Sequence, residues 1–129
     1  MARDGWMDDI DAAVAKAKKE NKNVMVEFTG SDWCHFCKIM DKKVFSKKEF
    51  YTKASEKFVL VSIDLPKGDK KLKEKNKPLV RKYKVRGFPT AILLGSDGKE
   101  FHRFSAAQYQ TVSGYLKHLD ESLEKKDMD

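Results

Sequence analysis

The two cysteines of the chain, Cys34 and Cys37, stand two residues apart in the stretch EFTGSDWCHFCKIM, residues 27–40. Thiols at this spacing can supply two zinc ligands, close a small disulfide, or work as a dithiol that is oxidised and reduced in use. A structural zinc ion needs two further ligands at workable spacing. The sequence holds no other cysteine, His35 lies inside the loop itself, and His102 and His118 fall on separate elements without a paired-ligand spacing. No metal site is therefore expected. Haem attachment would require a histidine directly after the second cysteine, where Lys38 stands. A purely structural disulfide across two residues closes too small a loop to constrain the unfolded chain much. Redox exchange is the use that the spacing favours.

Thiols need a scaffold that makes one reactive and shields the other. The run VMVEFT, residues 24–29, is short, apolar and β-rich, and GSD after it is a turn signal. It reads as a buried strand ending just before the cysteines. The segment KIMDKKVF continues beyond them at helical spacing, so Cys34 falls at a helix N-terminus, where unpaired N–H groups and the helix dipole favour a thiolate. Cys34 is thus the expected nucleophile. Cys37, nearly one turn further in, is the expected resolving thiol.

Around this unit the pattern predicts a first amphipathic helix through Ile10, Ala13, Val14 and Ala17, capped by Asp8 and leaving at ENKN. The cysteine helix ends near Phe45, and Ser46 with Glu49 forms a capping box for a further helix ahead of Phe50, Ala54 and Phe58. FVLVSID, residues 58–64, is a second strand. Residues 65–78 read as a wandering polar loop, with Pro78 opening a short helix. PTAILLG, SDGK and EFHRF make a strand, turn and strand. Ser105 and Gln108 repeat the capping pattern before a last helix with Val112, Tyr115, Leu116, Leu119 and Leu123 on one face. The order α-β-α-α-β-α-β-β-α implies an α/β protein: a mixed central β-sheet flanked by helices on both faces.

A chain of 129 residues suits a single domain over 1–129 that buries a core without staples. No apolar run approaches the ~20 residues needed to cross a bilayer, so no membrane span is expected. The N-terminus MARDGWMDDIDAAV has acids where an export signal would be basic and then apolar. The net charge of +7 raises nucleic acid as a partner. Its densest run, PKGDKKLKEKNKPLVRKYKVR, mixes in acids and lacks an aromatic ladder for stacking bases, so no nucleic acid is expected. The basic stretch 67–77 reads as a mobile solvated loop, with an acidic partner as the alternative. Neither a Gly-rich nucleotide loop nor a second redox pair is present, so no cofactor is expected.

DWCHFC after VMVEFTG, followed by VRGFPTAILLGSDGKE, resembles the thioredoxin superfamily, especially thioredoxin-like disulfide reductases with an F-T-G-S-x-W-C-x-x-C segment. The resemblance spans most of the chain. It implies a thioredoxin fold and thiol-disulfide exchange, with Cys34 attacking and Cys37 resolving. It assigns Pro89 to the family's cis-proline and implies that Trp33, His35, Phe36, Phe88 and Pro89 face substrate. Glu27 falls near the buried acid that assists proton transfer from the resolving thiol. Two departures stand out: the segment from Glu27 to Cys34 is one residue longer than is typical, and Leu60 replaces the lysine that often accompanies the acid. The pair His35-Phe36 occupies the positions that tune redox poise.

By the same resemblance the partners are disulfide-containing protein substrates and an external protein electron donor, and the protein is a monomer. An exported, periplasmic location is favoured, with the cytoplasm as the alternative. Reduction is the expected direction. An oxidase or isomerase follows if His35 destabilises the disulfide, and a peptide-binding module follows if the scaffold is kept without turnover.

Overall fold

The computed structural model describes residues 3–128. Four strands form one mixed sheet: β1 (Asn23–Thr29), β2 (Phe58–Asp64), β3 (Thr90–Leu94) and β4 (Glu100–Ser105), in the order β2-β1-β3-β4. β1 runs parallel to β2, Val26 opposite Val61, and antiparallel to β3, Val26 opposite Ile92. β3 and β4 form the hairpin that SDGK predicts, and Gly98 takes the positive φ of 81° that its turn requires. Beside β2, Met7 pairs with Val61, with Met7 N–H donating to Leu60 O and Ser62 N–H to Met7 O. The N-terminal segment thereby covers an edge that would otherwise offer unpaired backbone groups.

β1 is buried on both faces, and its two residue sets feed two cores. Val24, Val26 and Phe28 pack with Val61, Ile63 and Ile92 against α1 (Ile10–Glu20) and the inner side of α4 (Lys70–Lys82). Met25, with Leu60 and Leu93, packs against α2 (His35–Met40), α3 (Lys48–Ala54) and α5 (Val112–Met128), where Phe45, Phe50 and Tyr115 meet edge to face. The expected thioredoxin fold, a mixed sheet with helices on both faces, is what the chain adopts.

Several boundaries differ from expectation. Asp9, not Asp8, caps α1, accepting from Ala12 N–H, and Asn21 closes it in the left-handed region. After α2 the chain makes a π-helical turn, Asp41–Phe45, that buries Val44 and Phe45 and ends the cysteine helix where predicted. Ser46 closes that turn, so the backbone enters α3 through Lys47, which makes no side-chain cap. Ser105 belongs to β4, and the last helix starts later than its capping pattern implied, with Thr111 Oγ1 accepting from Gly114 N–H.

The largest correction concerns residues 67–77. Most of this stretch is helical, and Pro78 lies more than two turns inside α4 instead of opening a helix. Asp69 caps the helix by accepting from Leu72 N–H, and the lysines that suggested a loop are good helix formers. Asn76, buried, donates to Asp64 O, while Leu79, Val80 and Tyr83 pack on the core. Pro78 removes a single backbone donor, the one that would reach Glu74 O, on an exposed stretch where water can replace it.

Candidate active site

β1 ends at Thr29, and the chain turns through residues 30–33 to deliver Cys34 to the start of α2. The turn is pinned to the last residue of β2 and to the segment following it. Asp64 accepts from both Ser31 N–H and Ser31 Oγ–H, and the Asp32 carboxylate accepts from Lys67 N–H at 2.9 Å and Gly68 N–H at 2.7 Å. Those two amides hold the Asp32 carboxyl below the usual carboxylate range. Trp33 adds a donor from Nε1 to Leu65 O at 2.8 Å, and its ring meets Phe88 edge-on at 5.5 Å. Gly30 lies under that ring, where a Cβ would run into the indole.

Within this frame Cys34 is the N-cap of α2: its Sγ accepts from Cys37 N–H at 3.2 Å. Its thiol reaches toward Phe88 O at 3.7 Å, directly before Pro89, and the Phe88–Pro89 bond is cis. Cys34 is 8% exposed and Cys37 is fully buried, so solvent and substrate meet the first sulfur only. The Cys37 thiol is pushed up to about 12 by burial and by its bond with Cys34, against the Gly30 N–H at 3.4 Å and the Thr29 hydroxyl, which favour the thiolate. Cys37 is therefore a protonated thiol at neutral pH, and both cysteines are free.

The structure brings Trp33, Phe88 and Pro89 together beside Cys34. His35 and Phe36 are exposed on the first turn of α2, their rings edge to face at 5.3 Å. Glu27 is completely buried on the layer of β1 that faces α2, α3 and α5. Burial raises its carboxyl above the ordinary range, and Arg3 pulls it part of the way back through an ion pair of 2.7 Å. Arg3 also binds Asp41 at 2.9 Å and lies over the rings of Trp6 and Phe45. It thus ties β1 to the helix carrying both cysteines, one turn beyond Cys37.

Sequence reasoning missed Arg3. The missing lysine at Leu60 does leave a buried acid in need of a cation, and the compensating charge comes from the far N-terminus. The one available signal was compositional: Arg3 is the only basic residue before Lys16. The roles of Asp64 and Asp32 as ties for the cysteine turn were missed as well. Among the described residues, no group of three or more His, Cys, Asp or Glu side chains could hold a metal ion, and no helix is long and apolar enough to cross a membrane.

Comparison with known proteins agrees with this geometry. The disulfide bond reductase DsbH of Chlamydia pneumoniae is 32% identical over 114 residues, 81% of this chain and 69% of that protein. The thiol:disulfide interchange protein DsbD 2 of Pseudomonas aeruginosa is 28% identical over 117 residues, 91% of this chain but 19% of that much longer protein. A solved structure of a DsbH oxidoreductase superposes with a TM-score of 0.80 and 27% identity, covering 95% of this chain and 86% of the other. A family model described as a thioredoxin-like domain matches residues 10–120. The cysteine pair at the start of α2, the cis-proline beside it and these matches lead to one assignment: the chain belongs to the thioredoxin-like family.

Proposed function

We propose that this protein is a thiol-disulfide oxidoreductase that reduces protein disulfides through Cys34 and Cys37. The observation that carries the reading is the asymmetry of the pair. Cys34 Sγ is held at a helix N-terminus and open toward the Phe88–Pro89 strand entry, while Cys37 lies covered behind it.

In the first step the Cys34 thiolate attacks one sulfur of a substrate disulfide. The substrate S–S bond breaks, its other sulfur leaves as a thiolate, and a mixed disulfide forms. In the second, Cys37 loses its proton and attacks Cys34 Sγ. The mixed disulfide breaks, the substrate leaves as a dithiol, and the enzyme keeps an intramolecular disulfide. Two electrons have passed to the substrate, and a protein dithiol donor must return them.

Burial, the largest cause of the raised Cys37 thiol, persists when Cys34 is held in the mixed disulfide, so the second step needs a proton acceptor. Glu27 is the proposed acceptor, on the same face of β1 as Thr29 and with a carboxyl raised by burial. Trp33, Phe88 and Pro89 are the proposed substrate-facing wall, with His35 and Phe36 on its open side.

The test is reduction of insulin disulfides with dithiothreitol as terminal reductant. The parent should accelerate the reaction and Cys34→Ser should not. A parent no faster than dithiothreitol alone would defeat the reading and leave a peptide-binding module on the same scaffold.

A further inference from the structure

The net charge of +7 is not spread over the molecule. Residues 67–86 hold ten Lys and Arg against two acids, while the rest of the chain holds seventeen against eighteen and is nearly neutral. The fold sets this cationic segment directly against the cysteine turn. Lys73, Lys77 and Arg81 follow one another at four-residue spacing along one face of α4, and Lys67 projects from the loop before it, its Nζ 5.6 Å above the Trp33 ring. Together they rim a groove of about 370 Å³ whose floor is apolar: Trp33, Leu65, Val80 and Phe88. Two of those floor residues also flank the nucleophile, since Trp33 precedes Cys34 and Phe88 O faces its sulfur. Among the described residues Lys67, Lys73 and Arg81 have no acidic partner, and Lys77 has only the exposed Glu74 at 3.3 Å.

We propose that this groove docks the disulfide client, and that the preferred client is a polypeptide whose reactive cystine is flanked by an apolar side chain and acidic residues. The inference rests on the reductase reading above and adds the substrate class. The apolar side chain would fill the floor beside Cys34, and the acidic residues would meet the α4 cations, of which only Lys77 has an acidic partner, the exposed Glu74. A concave site lined by one sign of charge raises the encounter rate of oppositely charged ligands and loses that advantage in salt. The reactive thiol at the edge of the groove favours a polypeptide over nucleic acid, which carries no disulfide for Cys34 to attack.

The test uses two synthetic peptides with the same cystine and neighbouring leucine, one flanked by glutamates and one by lysines. A small neutral disulfide serves as a third substrate. At about 0.02 M salt the parent should show kcat/KM at least tenfold higher for the acidic peptide, and the ratio should shrink toward one at about 0.5 M. In Lys73→Glu/Lys77→Glu/Arg81→Glu the ratio should fall below one. Lys47→Glu/Lys48→Glu/Lys117→Glu, the same charge change on the opposite layer, should leave it above one. The ratio is internal to each variant, so a general loss of activity does not imitate the effect.

A parent ratio near one, with the neutral disulfide still reduced, would overturn the docking proposal and leave the reductase reading intact. An equal shift in both triple variants would overturn it in favour of overall charge. Undiscriminated peptides together with low-salt binding to anionic lipid vesicles, lost in the α4 variant, would reassign the face to a membrane surface. No turnover of any of the three disulfides would overturn the reductase reading itself.

Discussion

Replacing Arg3 by methionine should cost this protein a large share of its stability, by an amount that depends on pH. The side chain is 5% exposed, its partner Glu27 is fully buried, and the guanidinium bridges Glu27 and Asp41 across the layer between β1 and the cysteine helix. Removing one member of a buried pair leaves an uncompensated charge and costs about 3–5 kcal/mol. With a urea m-value of about 2 kcal/mol/M, the unfolding midpoint should fall by about 1.5–2.5 M at pH 8. The cost cannot be constant with pH. Glu27 has its carboxyl raised in the fold above its ordinary value of 4.5, so the stability it contributes is fully present below that value and is lost as pH rises through the folded one. Removing Arg3 lifts the folded value further, and the gap between variant and parent must widen from pH 5 to pH 8. The double variant Arg3→Met/Glu27→Met should recover most of the loss, because apolar replacement of a whole buried pair is often neutral. Urea unfolding at both pH values gives the answer. A loss below about 1 kcal/mol at pH 8, or equal losses at the two pH values, would refute the assignment of this pair as a strong buried interaction.

Gly30→Ala should displace the Trp33 ring and break its bond to Leu65 O, lowering insulin turnover roughly ten- to hundredfold while urea unfolding still shows a folded protein. Asn76→Leu should cost about 1–3 kcal/mol in urea unfolding, because Asp64 O loses its buried donor where α4 meets β2. His102 and His118 face each other Nε2 to Nε2 at 3.0 Å, and burial, with nearby positive charge, holds both below their ordinary value of 6.5. Groups held low in this way give stability that is fully present above 6.5 and is lost as pH falls below it. The pair therefore works against the gain from Glu27 as pH falls, and His118→Gln should become more stable relative to the parent between pH 7 and pH 5; a difference in urea midpoint that does not change with pH would show that the pair does not titrate in this way.

What the sequence disclosed and what it withheld divide along physical lines. The strands at 24–29, 58–64 and 90–94 were legible because short apolar β-rich runs ended by turn residues have few alternatives, and the Gly98 hairpin because its turn demands a positive φ. α4 was not legible. Its charges and Pro78 suggested a loop, and what makes it a helix is the Asp69 cap and the anchor of Asn76 on Asp64, a contact between residues twelve apart. The Ser46 and Ser105 motifs misled because a capping side chain matters only where the backbone enters the helix, and tertiary packing put those entries elsewhere. At the site, Cys34, Cys37, Trp33 and Pro89 could be singled out from one local motif and one distant one. Arg3 acts over a separation of twenty-four residues to Glu27, and no local pattern encodes such a pairing.

The central claim is that Cys34 attacks and Cys37 resolves, and trapping tests it most directly. Cys37→Ser incubated with a disulfide-bonded peptide should accumulate one mixed disulfide, which mass mapping places on Cys34 and which dithiothreitol releases. Cys34→Ser, with its remaining thiol buried, should form none under the same conditions. An adduct on Cys37 in the second variant at a comparable rate, or no adduct in the first, would contradict the account.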